Sequence, residues 1–192
     1  TVDGERVYAM TGRGTLACLN NSSASPGDSS KYGGGDSFHN QTNVQSSAFG
    51  GDGDDALTGG GAADLISGGS GNDTLDGGGG SDIVSGNAGD DDVRGGSADD
   101  DVFGGGGADR LFGEGGDDYL LGGAGNDIII GGGNVDILSG NSGLDILGGG
   151  GGNDTIYGGD DADLLFGDVG ADNIFGLNGN DELFGGNGND RL

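Results

Sequence analysis

The chain has 192 residues, of which 53 are glycine and 31% hydrophobic, with 33 acidic side chains against 6 basic ones and a formal net charge of −27. So little apolar material cannot build a broad core of large side chains, and so negative a chain disfavours nucleic acid and anionic membrane surfaces while favouring cations. No apolar run approaches the length of a membrane span.

Residues 1–49 follow no period. Arg6-Val7-Tyr8-Ala9-Met10 and Thr15-Leu16-Ala17-Cys18-Leu19 are β-prone runs on either side of Thr11-Gly12-Arg13-Gly14, which predicts a hairpin. Residues 20–35, rich in Ser, Asn, Gly and Asp and holding the one proline, Pro26, read as loop. Residues 37–49 are polar with scattered apolar positions and read as an irregular cap. The whole segment is either an end cap for a repeat stack or an adhesive, assembling head. Cys18 is the one cysteine, so it forms no internal disulfide. It reads as a small buried hydrophobe, with an interchain bridge or a reactive thiol as the alternative. His39, the one histidine, reads as a surface residue. The chain opens on Thr1 with no signal-like segment, which suggests a processed or excised product.

From residue 50 the pattern changes. Aspartates stand at Asp55, Asp64, Asp73, Asp82, Asp91, Asp100, Asp109, Asp118, Asp127, Asp136, Asp145, Asp154, Asp163, Asp172, Asp181 and Asp190, each nine residues after the last. A glycine opens every unit from Gly50 to Gly185, and an aliphatic residue follows each aspartate by two places, from Leu57 to Leu192. Three columns in register mean a stacked repeat architecture rather than a disordered tract. The frame is Gly-Gly-x-Gly-x-Asp-x-apolar-x, clean in Gly68-Gly69-Ser70-Gly71-Asn72-Asp73-Thr74-Leu75-Asp76 and in residues 122–130 and 149–157. It resembles the RTX (repeats-in-toxin) nonapeptide over residues 50–192. The resemblance implies an all-β fold, a calcium-bound parallel β-roll (β-solenoid) of sixteen repeats, with residues 1–49 as a small N-terminal cap or head.

The spacing is consistent with that fold. Successive strand side chains face opposite ways, so an inward eighth place leaves the seventh and ninth outward. One inward side chain per short strand suits a thin sandwich in which two units complete one coil, and eight coils at roughly 4.8 Å give a rod about 40 Å long. The first six places then form a turn whose glycines tolerate positive φ and close stacking. Alternate carbonyls of such a turn point to opposite neighbours, and calcium takes six to eight oxygens from a flexible set. The sixth-place aspartates, with carbonyls of turn glycines such as Gly69, Gly71, Gly78, Gly80, Gly105, Gly107, Gly123, Gly125, Gly150 and Gly152, are the candidate ligands. Each aspartate has two oxygens and could serve an ion on either side. Seven gaps on each of two edges give about fourteen Ca2+, whose charge of about +28 offsets the chain's −27.

Departures from the frame fall at the second place (Asn87, Glu114, Asn141, Asp168, Leu177), the fourth (Ala62, Ala98, Asn134, Asp161) and the fifth (Val135, Leu144), the last two predicting weaker sites. None touches the sixth place. Outward places are polar or small in the first coils (Ala56, Thr58, Ser67, Thr74, Asp76, Ser85, Asp92, Arg94). Beyond residue 103 they turn apolar, with Phe112, Ile128, Ile130, Ile146, Leu164, Phe166 and Phe184 on one sheet and Phe103, Tyr119, Leu121, Ile137, Tyr157 and Phe175 on the other. Such patches mark contact surfaces and predict a homo-oligomer or filament, helped by a C-terminal end that stops mid-strand at Leu192. There is no HExxH, no GxSxG and no second histidine, so no enzyme is expected. The expected function is an extracellular, calcium-hardened structural protein of a filament, surface layer or matrix. The alternative is a calcium-triggered folding and secretion module cut from a larger exported enzyme, toxin or adhesin, as the family resemblance also implies.

Overall fold

The computed structural model describes residues 47–192 in full and, as backbone strands, Val2–Asp3 (β1), Arg6–Met10 (β2), Leu16–Asn20 (β3) and Ser37–His39 (β4). The hairpin forms: β2 and β3 pair antiparallel with Tyr8 opposite Cys18 and Met10 opposite Leu16. The short β1 adds a third strand along β2. The expected turn at residues 11–14 and the loop after Asn20 lie outside the described residues.

The rest of the chain is a parallel β-solenoid of two sheets. From Ser47 onward each strand pairs in parallel with the next strand but one, eighteen residues away, so that Leu75, Val93 and Leu111 stand in one row. Alternate strands therefore enter different sheets, one of nine strands and one of eight. Because the offset is two whole units, every residue stacks on a residue of the same place in the frame. Identical backbone conformations then repeat vertically and keep their hydrogen bonds whatever their φ and ψ.

That repetition lengthens the strands beyond expectation. A typical strand, such as Thr74–Gly79 or Ile83–Ala88, runs six residues, from the seventh place of one unit through the third place of the next. Only the fourth to sixth places remain as turn. Bonds between coils continue even there: the Gly71 N–H donates to the Ala88 carbonyl at 2.8 Å and the Asp92 N–H to the Asp73 carbonyl at 2.9 Å.

The core is one column of eighth-place aliphatics, buried from Leu57 to Ile174. Ala48 extends it below the periodic frame. Residues expected to form an irregular cap in fact supply strands: Ser47–Asp52 pairs with Leu65–Ser70, placing Ala48 opposite Ile66, and β4 pairs with Ala56–Gly60, placing Phe38 opposite Leu57. The step from Phe38 to Leu57 is nineteen residues rather than eighteen, so a strict nine-residue period does not find it.

Of the nine second- and fourth-place departures, all but Ala62 have positive φ, from 68° at Asp168 to 81° at Ala98. On the outer faces, Tyr157 stacks on Phe175 and Phe166 on Phe184, each at 5.2 Å between ring centres. Phe112 carries the guanidinium groups of Arg94 and Arg110 at 5.2 and 5.6 Å. One expectation needs correcting: Leu65 and Ile83 are exposed, so the early coils of the eight-stranded sheet are not uniformly polar. Both occupy the seventh place, which points outward.

Candidate metal centre

The sixth-place aspartates form two buried ladders, one on each edge of the roll. From Asp55 to Asp172 each is at most 4% exposed, and only Asp181 and Asp190, in the last coil, are more open. Burying that many carboxylates is expensive unless each oxygen finds a partner.

One oxygen does. From Asp73 to Asp190, the Oδ1 of each aspartate accepts the backbone N–H of the aspartate eighteen residues earlier. Asp55 N–H donates to Asp73 Oδ1 at 2.8 Å, Asp82 N–H to Asp100 at 2.7 Å and Asp109 N–H to Asp127 at 2.9 Å. The series ends with Asp172 N–H to Asp190 at 3.2 Å. One oxygen of each carboxylate from Asp73 onward is thus tied to the preceding coil. The bond aims the second oxygen.

That second oxygen, Oδ2, is buried and accepts no hydrogen bond in each sixth-place aspartate from Asp73 to Asp172. It lies against the first-place glycine of its own unit. A Cβ on Gly68 would overlap Asp73 Oδ2, and one on Gly122 would overlap Asp127 Oδ2. A carbonyl of the next coil reaches the same spot. A Cβ on Gly158 would stand 2.5 Å from Asp163 Oδ2 and 2.8 Å from the Gly176 carbonyl oxygen, and one on Gly167 would be 2.5 Å from both Asp172 Oδ2 and the Gly185 carbonyl. Two electron-rich oxygens therefore converge across each such gap.

First-place carbonyls were not among the ligands suggested by sequence. The signal was there: the first place is glycine in all sixteen units, although no first-place glycine has positive φ. Invariance without a backbone reason marks close approach. The suggested second- and fourth-place carbonyls point towards the following coil. Those of Gly78, Gly105 and Gly107 face Gly96, Gly123 and Gly125, and those of Gly71 and Gly152 face Gly89 and Gly170.

Electrostatics say the same. Burial, only partly offset by the backbone hydrogen bond, pushes the carboxyl groups of Asp73, Asp82, Asp109 and Asp118 up to about 6. It pushes those of Asp91, Asp100, Asp136 and Asp145 up to about 7, with neighbouring carboxylates adding to the rise. Asp127, Asp154, Asp163 and Asp172 are raised for the same leading cause. Among the described residues no cationic side chain pairs with these carboxylates. Among the described residues no three His, Cys, Asp or Glu side chains converge, so any ion here draws on backbone carbonyls as well as carboxylates. An all-oxygen, mixed donor set suits calcium and not zinc.

A family model described as the RTX calcium-binding nonapeptide repeat (4 copies) matches residues 49–84, 76–111, 85–120, 112–147, 139–174 and 166–192. The chain belongs to the RTX calcium-binding repeat family. No curated protein sequence matches it. In this RTX chain the orphaned Oδ2 atoms and the first-place carbonyls fit a bound calcium ion, which would supply the missing positive charge. The protein's own part is to hold those oxygens in place: Oδ1 locks the carboxylate, and the glycine clears the space in front of it. The fold is that of a structural calcium-binding domain.

Proposed function

We propose that this protein is an extracellular structural protein whose roll folds on calcium and then self-associates into a filament, layer or matrix. The buried ladder of Oδ2 atoms without a partner is the observation that carries this reading. Sixteen turns on two edges leave seven gaps per edge, hence about fourteen ions and about +28 against the chain's −27. Metal binding free energy then acts as folding free energy. Sites with the affinity of extracellular modules, with dissociation constants of about 10⁻⁴ to 10⁻³ M, load only at calcium far above cytosolic levels, and on this reading the roll works outside a cell.

Self-association rests on the outer faces. Ile128, Ile146 and Phe184 are exposed on the nine-stranded sheet and Tyr119 and Ile137 on the eight-stranded one, apolar surface that the roll itself does not need. Neutralising the ladders would remove the repulsion that otherwise keeps two such chains apart. Equilibrium dialysis and sedimentation velocity in millimolar calcium test both halves. About fourteen ions per chain, with mass rising as protein concentration rises, is the expected result. Fewer than a handful of ions would overturn the calcium assignment. Full loading with a strictly monomeric chain would overturn the assembly and favour a folding module of a larger exported protein.

A further inference from the structure

Each gap between stacked turns is crossed by the Asp Oδ1 bond already described, which reaches back to the preceding coil. Some gaps carry a second bond, in the opposite direction. The fifth-place side chain of one turn accepts the fifth-place N–H of the following turn: Asn72 N–H donates to Asp54 Oδ1 at 2.8 Å, Asp90 N–H to Asn72 at 2.9 Å and Ala108 N–H to Asp90 at 2.8 Å. Asp99, Asp117, Asn126 and Asn153 do the same for Asp117, Val135, Leu144 and Ala171. Among the described residues seven gaps have this reciprocal pair. Where the fifth place is Ala, Ser, Val or Leu the side chain makes no such bond, and only the aspartate bond crosses.

The two kinds of gap are not evenly spread. Of the last five in chain order, those beginning at Val135, Leu144, Ala162 and Ala171 lack the second bond, and only the one beginning at Asn153 keeps it. The same stretch holds Asp161, Asp168 and Leu177 in positive φ, where glycine would be relaxed.

Resting on the calcium reading above, we infer that the fifth-place Asn or Asp is a positioning residue for calcium and divides the roll into two classes of site. In a chain that folds as it loads, a gap held from both sides gains two of these bonds when it closes on its ion, so its loading is the more favourable. A gap held from one side gains one. Loading therefore runs ahead in the first coils and lags after Val135. One hydrogen bond of this kind alters affinity by a factor of a few to about tenfold.

The test is a calcium titration of the full chain by competition with a chromophoric chelator, with hydrogen exchange read at partial saturation. Wild type should show two classes of site, and residues 136–192 should exchange faster than residues 54–135. Leu144→Asn, at a position 56% exposed and outside the core, supplies an acceptor for the Ala162 N–H and should move about one ion into the tight class. Asn126→Ala should move about one the other way. A single uniform class, or an isotherm that Leu144→Asn leaves unchanged, overturns this inference while the calcium reading stands. No calcium uptake by wild type overturns both.

Discussion

Gly113 and Gly115 sit two residues apart, yet a methyl group would be ruinous at one and harmless at the other. At Gly113 it would overlap Asp118 Oδ2, with the Gly131 carbonyl 2.5 Å away; at Gly115 it would meet nothing within 4 Å. Gly113→Ala should therefore abolish the local calcium site and lower the calcium affinity of the roll. Gly115→Ala should be neutral or stabilising by about 0.4–1 kcal/mol through the unfolded chain. Thermal melts of both variants in calcium check this pair. Asp118→Asn keeps an acceptor for the Asp100 N–H, bonded at 2.8 Å in the wild type, but removes the charge. It should lose about one bound ion in equilibrium dialysis without unfolding the rest. Sequence alone pointed to the sixth place as ligand because nothing else explained its regularity. It did not show that the two carboxylate oxygens divide their labour. That division depends on an eighteen-residue offset between coils, which brings a backbone N–H to one oxygen and a first-place carbonyl to the other.

At the scale of the strand, the eighth-place column does the packing, one side chain per strand. Ile129, fully buried between Leu111 and Leu147, has no second layer behind it that could close a gap. Ile129→Ala should cost about 2–5 kcal/mol in the calcium-loaded state, measured by denaturant unfolding. Leu177, with φ of 73° and 65% exposure, occupies a glycine conformation without packing in return. Leu177→Gly should stabilise the last coils by about 1 kcal/mol, read as slower hydrogen exchange at residues 173–184. Strand order and pairing were legible from the nine-residue period. Strand length was not, because Gly-Gly-x reads locally as a turn and becomes strand only when its copies stack above and below. Ser37–His39 and the first half of Ser47–Asp52 were hidden for a related reason: no sixth-place aspartate precedes them, and they join by pairing alone.

At the scale of the molecule, the buried carboxylates set an unusual pH dependence. Their folded values, pushed up to about 6 or 7, lie above the ordinary 3.8, so the metal-free roll binds more protons than the unfolded chain between those limits. Its stability should fall as pH rises through that window, the reverse of common acid unfolding. In chelator, shifting from about pH 8 to about pH 5 should increase β content by circular dichroism, and a loss of β content would contradict the assignment of the ladder. The overall architecture was legible because sixteen copies of one frame leave a single way to stack. The outer faces were legible only in part: Leu65 and Ile83 stand at outward places that the rest of the early coils fill with small or polar residues.

The central claim is that oxygens crowded across each gap need a divalent cation before the roll can stand at neutral pH. Circular dichroism of the full chain, titrated with calcium after exhaustive EGTA treatment, tests it most directly. A disordered spectrum that converts to β structure on adding calcium, and reverts on chelation, is the predicted result. A β spectrum that persists unchanged in EGTA at neutral pH would contradict it.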